Sequence, residues 1–171
     1  MKNMKNMKKL YSAIEVIIKE CNLKTEDDEE FCYKVAKRMQ ENFCGYKADF
    51  SEIFKNRILN NNKISSAIEF KKVRFTSHCL HHMTPIIGYI NISYAPNEYI
   101  VGFSRIVECV NAFTQRLQLQ ENLTVEIAEC INKNITPKGV MIEVVARHYC
   151  MQKSPNDTMP QIRTCHKIGE I

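Results

Sequence analysis

Leu10, Ile14, Ile17 and Ile18 recur three and four positions apart, which predicts an amphipathic helix over residues 1–22 behind a frayed Met-Lys-Asn repeat. Thr25 then precedes Asp27, Asp28, Glu29 and Glu30, with Phe31, Val35 and Met39 following at intervals of four. A capping hydroxyl, acids at the positive end of the dipole and a continued stripe predict a second helix that ends near Gly45. The pattern fades between Tyr46 and Asn62, and Asn60-Asn61-Asn62 reads as a loop. From Ala67 the period changes: Ile68, Phe70, Val73 and Phe75 predict one or two strands on either side of Lys71-Lys72. Pro85 to Tyr94 alternates as a half-buried strand and is turned by Ala95-Pro96-Asn97. Helical spacing returns over 104–116, with Ile106, Val107, Val110 and Phe113, and over 121–133, with Leu123, Ile127 and Ile131. Val140, Ile142, Val144, Ala146, His148 and Cys150 then share one parity, which predicts a strand carrying both His148 and Cys150 on its apolar face. A last strand is expected over 161–168.

That order of helices, strands, two helices and strands predicts an α+β fold, with helices covering one face of an antiparallel sheet. We divide the chain into an N-terminal helical segment, 1–62, and a catalytic part, 63–171, within one compact domain overall. A length of 171 residues, 44% of them hydrophobic and 25% charged, is that of one ordinary globular core. No apolar run reaches the ~18 residues that span a bilayer, and no apolar stretch of secretory type follows the basic start, so a cytoplasmic protein without a membrane partner is expected. Eight cysteines in a reducing compartment point to buried, metal-bound or catalytic thiols rather than a disulfide framework. Cys21, Cys32, Cys44, Cys109 and Cys130 fall in helix-like segments, as small core or surface residues. The net charge of +5 owes much to Lys5, Lys8 and Lys9, and no basic stripe interleaved with aromatics suggests a nucleic-acid partner.

The candidate chemistry lies in Cys79-Leu80-His81-His82 and His148-Tyr149-Cys150. Cys79-x-x-His82 lets one turn present two ligands, and Cys150 offers a third from a strand end, which suits a zinc site with one position left for water. His81 and His148 would then stand free beside the ion, where imidazoles carry protons near neutral pH. Two other readings remain open at this point. His148 and Cys150 also suit the end of a core strand, and a structural zinc would take a fourth ligand from His81, His148, Cys165 or His166. Glu121, at the start of a predicted helix, either complements the helix dipole or accepts two hydrogen bonds from a guanine-like edge.

Taken together, Ser77-x-Cys79-x-His81-His82, Pro85 and Gly88, Val101-Gly102-Phe103-Ser104-Arg105, Gln115-Arg116-x-Gln118-x-Gln120-Glu121-x-Leu123-Thr124, Gly139-Val140 and His148-Tyr149-Cys150-Met151 resemble GTP cyclohydrolase I in order and spacing. Lys34-Val35-Ala36-Lys37 is similar to a weaker motif of that family. The resemblance implies the tunnelling fold, assembled into a ring of subunits, typically a decamer, with active sites between subunits. It implies Zn2+ on Cys79, His82 and Cys150, a guanine nucleotide held by Glu121 with help from Gln120, and proton transfer by His81 and His148. It further implies opening of the purine of GTP, release of formate and formation of 7,8-dihydroneopterin triphosphate. Ser104 is a further candidate for substrate binding, and Arg105 and Lys34 match the family's phosphate end. There the chain departs: Glu108 and Ser154 stand where the family has arginines, and Leu80 where it has an acid. Lys153 and Arg163 are candidates to compensate. The departures leave two alternatives, a hydrolase for a guanine nucleotide with fewer phosphates and a non-catalytic zinc-binding homologue.

Overall fold

The first apolar stripe folds as helix α1 (Lys2–Glu20). Helix α2 (Asp28–Asn42) is capped by Asp27, whose side chain accepts from Glu30 N at 2.9 Å. Thr25 instead bonds Asp28, so the cap lies two residues later than its hydroxyl suggested. Ile14 and Ile18 of α1 are buried with Cys32 and Ala36 of α2, flanked by Leu10, Phe31, Val35 and Met39. The computed structural model describes residues 2–152, 154 and 159–171. It resolves into two compact units, Met1–Phe43 and Cys44–Ile171.

The second unit opens with a 3-10 turn, Cys44–Lys47, and a short helix α3 (Phe50–Ile53) capped by Asp49. Strands β1 (Ile58–Leu59), β2 (Ile68–Cys79), β3 (Pro85–Ala95) and β4 (Tyr99–Ile100) follow. The helix pair α4 (Phe103–Thr114) and α5 (Gln120–Ile135) flanks β5 (Leu117–Gln118), and β6 (Gly139–His148) and β7 (Ile162–Gly169) complete the chain. The main sheet runs β5-β2-β3-β6-β7; its four long strands are antiparallel and the two-residue β5 adds a parallel edge beside Cys79. Among the described residues no helix is long and apolar enough to cross a membrane.

The two-residue period decides which face is covered. Val73, Phe75, Ser77 and Cys79 of β2, and Val140, Ile142, Val144 and Ala146 of β6, are buried on one side, against Ile106, Val110 and Phe113 of α4 and Leu123, Ile127 and Ile131 of α5. Each fully buried isoleucine contributes about 1.5–3 kcal/mol. Lys71-Lys72 does not separate two strands. It is a bulge between Phe70 and Val73 in one long β2, with Lys72 at φ 58 and its N–H on Asn91 Oδ1 at 2.8 Å. The extra residue lets Ile68 and Phe70 share the covered face with Val73 and Phe75 despite the odd spacing.

The predicted strand through Cys150 stops at His148, and Tyr149–Met151 turn as a 3-10 helix. Its neighbour explains the stop: the last pair is Ile86 with His148, and the next residue of β3 is Pro85, which has no N–H for the ladder. Cys150 is therefore directed by a turn rather than by strand parity.

Candidate metal centre and the residues around it

Cys79 ends β2 and is buried, 4% exposed. The chain then folds back on itself: Met83 N donates to Cys79 O and Cys79 N to Thr84 O, each at 2.8 Å, with Met83 at φ 55. This closed turn returns His82 to the strand end, its Nδ1 3.7 Å from Cys79 Sγ. The 3-10 turn after β6 brings Cys150 Sγ to 4.0 Å from Cys79 Sγ. All three ligand atoms lie within 4.8 Å of one another, on residues that are buried, exposed and half-buried respectively.

The donor set fits zinc. Ligands about 2.0–2.3 Å from a tetrahedral ion sit roughly 3.3–3.8 Å apart, and a catalytic site uses three of them. Burial pushes the Cys150 thiol up, and the neighbouring Cys79 sulfur adds to the shift. A thiol whose ionisation is disfavoured by burial and by a neighbouring sulfur is the arrangement a divalent cation reverses.

His81 points outward, its ring edge-on to His82 with centroids 5.9 Å apart. His148 is half-buried, with Nε2 2.9 Å from Gln120 Oε1. Burial lowers its pKa from 6.5, and the Glu121 carboxylate opposes that shift. Glu121 itself is exposed in the first turn of α5, next to buried Gln120. Thus Cys79, His82 and Cys150 converge, and His148, Gln120 and Glu121 adjoin one another. Leu80, held by its N–H on Gln118 O at 3.0 Å, is 48% exposed beside them.

Within the second unit, the residues of the predicted phosphate end lie away from this cluster. Ser104 is exposed in the first turn of α4, and Arg105 donates to Glu108 at 2.7 Å on the wall of a 930 Å3 cleft that also includes Lys47, Asp49 and Gln115. Cys79 pairs with Gln118 beyond the other end of α4, a helix about 18 Å long by its rise per residue. Arg163 pairs with Glu143 on the sheet face away from the helices, while Lys34 pairs with Glu30 at 2.7 Å in the first unit. Lys153 lies outside the described residues. Thr164 escaped sequence reasoning; it sits on the helix-facing parity of β7 and touches Thr124, one turn along α5 from Gln120, at 2.6 Å. The alternation of β7 combined with the i, i+4 spacing of Gln120 and Thr124 was the available signal.

The family model of GTP cyclohydrolase I matches residues 8–170. The chain belongs to the GTP cyclohydrolase I family. GTP cyclohydrolase 1 of Rickettsia felis is 41% identical over 129 residues, covering 75% of this chain and 65% of that protein. The Bacteroides thetaiotaomicron protein of the same name is 36% identical over 155 residues, 88% of this chain and 76% of its own. The chain thus spans slightly under two thirds of the Rickettsia relative. Among solved structures, the archaeosine synthase QueF-Like in the apo form superposes with a TM-score of 0.52 at 18% identity, over 62% of this chain and 96% of that one. The α+β tunnelling fold expected from the sequence is the one observed, its antiparallel sheet carrying a two-residue parallel edge at β5.

Proposed function

We propose that the chain is a zinc-dependent GTP cyclohydrolase I, hydrolysing GTP to 7,8-dihydroneopterin triphosphate and formate. The observation that carries this reading is the convergence of Cys79, His82 and Cys150 within 4.8 Å, at strand ends that also present His148. When bound, zinc supplies the Lewis acidity that makes a hydrolytic water nucleophilic near neutral pH. Glu121 accepts hydrogen bonds from the guanine edge, as an exposed carboxylate beside His148 is able to do. His148 delivers a proton to the purine ring and His81, exposed and outside the ligand set, to the ribose oxygen.

The phosphate-binding residues Ser104, Arg105 and Lys34 would serve the site of another copy in a ring of subunits, with ten as the expected number. The separation of Arg105 from Cys79 along α4 supports that arrangement. One observation favours a second substrate: Arg105 already holds Glu108 at 2.7 Å, which weakens any hold on a triphosphate and suits a guanine nucleotide with fewer phosphates.

The test is incubation of the zinc-loaded protein with GTP, GDP, GMP and guanosine, following formate release and pterin fluorescence. Turnover of GTP is expected. Preference for a shorter phosphate would move the assignment to the second substrate, and no release from any of the four would leave a zinc-binding homologue without this activity.

A further inference from the structure

The side chain of Gln120 is 1% exposed, and its surroundings permit one orientation. Nε2 donates to Ile162 O at 2.9 Å and Val144 O at 3.2 Å, and lies 3.2 Å from Thr164 Oγ1. Main-chain carbonyl oxygens only accept, so turning the amide over would set its oxygen against two of them. Oε1 therefore faces His148 Nε2, 2.9 Å away. An amide oxygen has no hydrogen to give, so the hydrogen in that bond belongs to His148 Nε2.

The hydroxyls are ordered by the same bookkeeping. Thr124 gives its one hydrogen to the main-chain oxygen of Gln120 at 2.8 Å. In the 2.6 Å contact between the two threonines, Thr164 must then be the donor. Its lone pairs are left facing Gln120 Nε2, whose two hydrogens are shared among Thr164 and the two carbonyls. The bonds run in one direction, from His148 through Gln120, Thr164 and Thr124 to a backbone carbonyl, and each member is fixed by the next.

We propose that Gln120, Thr164 and Thr124 are positioning residues that lock neutral His148 as its Nε2–H tautomer, so that the proton it exchanges with substrate passes through Nδ1. The tautomer follows from the bonds alone; its use in proton transfer rests on the cyclohydrolase reading. Gln120 thereby acts on substrate through His148 rather than by side-chain contact with the guanine.

The test uses the zinc-loaded full chain with 15N-labelled histidine, in a long-range 1H–15N correlation spectrum recorded where imidazoles are neutral. The His148 signals are identified by their loss in His148→Asn. A bare-type Nδ1 with a protonated-type Nε2 is expected, and a bare-type Nε2 overturns the proposal. Gln120→Met removes the acceptor and should average the two nitrogen shifts; an unchanged spectrum removes Gln120 from the role. Because Gln120→Met also takes a donor away from two carbonyls, the Thr164→Val and Thr164→Ser pair supplies a gentler check. Valine should lower kcat, by up to about a hundredfold as for a misplaced catalytic group, at unchanged KM, and serine should restore both kcat and the wild-type spectrum. A raised KM at unchanged kcat would overturn the assignment in favour of substrate contact. A wild-type protein with the expected tautomer but no formate release would sink the cyclohydrolase reading while leaving the tautomer lock intact.

Discussion

The metal cluster and the Arg105–Glu108 cleft contrast in what holds them. Cys79 and His148 are the last residues of β2 and β6, whose covered faces are almost fully buried, and Gln120 behind His148 is anchored by three further acceptors. Arg105 and Glu108 stand on α4 with side chains 35% and 49% exposed, bonded to each other. A residue fixed by the sheet register cannot change without moving the sheet. A residue on a helix surface is exchanged at little cost, since exposed ion pairs contribute only about 0–1 kcal/mol. By the resemblance read from the sequence, Cys79, His82 and Cys150 match the family's ligands at the first place, and at the second Glu108 stands where the family has an arginine.

The sharpest way to break this contrast is to remove a ligand. Cys150→Ser should abolish stoichiometric zinc binding in dialysed protein and lower formate release by more than about a hundredfold, since even changing a group that only hydrogen-bonds a metal ligand costs about 10- to 100-fold. Zinc retained at full stoichiometry would show that Cys150 is no ligand.

Most of the covered face of the sheet was legible as alternation, because period two survives wherever one face is buried: Val140, Ile142, Val144 and Ala146 were readable, and all are buried. Where alternation broke, the cause was local chemistry that period alone does not carry. The missing N–H of Pro85 ended β6 at His148, and a bulge at Lys72 joined two apparent strands into one. The three candidate metal ligands were legible as residue types, and the geometry of their convergence was not, since it depends on the closed Cys79–Thr84 turn and a 3-10 turn after β6. The Gln120–Thr164 bond joins residues 44 positions apart and leaves no trace in local spacing.

A change in the sheet should reach the site through the register. Gly88 pairs with Ala146, two residues from the Ile86–His148 pair, and a Cβ there would stand 2.1 Å from Val145 O and 2.6 Å from Ala146 Cα. Gly88→Ala must push β3 and β6 apart, at about 1–3 kcal/mol as for other overpacked cores. Urea unfolding should show that loss, and formate release per folded molecule should fall with it. Intact activity would mean that His148 is not held by this register.

At the other end, freeing Arg105 should cost little and gain binding. Glu108→Gln is expected to change stability by less than about 1 kcal/mol. It should tighten GTP by roughly three- to tenfold while leaving GMP nearly unchanged, the lower part of what a charge-assisted hydrogen bond supplies once solvent screening is allowed for. Calorimetric titration of the two nucleotides measures the difference. Equal effects on both would take Arg105 away from the phosphates.

The smallest effect is expected from Arg163, the other cation weighed for the phosphate end. Asn91, at 2.6 Å, and then Arg163 hold the Glu143 carboxyl below its ordinary pKa of 4.5. A depressed acid stabilises the fold above its unfolded pKa and loses that contribution as pH falls through its folded pKa. Arg163→Gln should therefore be less stable than wild type at pH 7, and the gap should close as pH drops below 4.5. With Arg163 67% exposed, solvent screening keeps the gap small. GTP affinity should stay within about twofold, in the range of a surface change away from the ligand. A gap that persists at low pH would assign the stabilisation to packing by the arginine stem rather than to the ion pair, and a marked loss of GTP affinity would return Arg163 to the phosphate end.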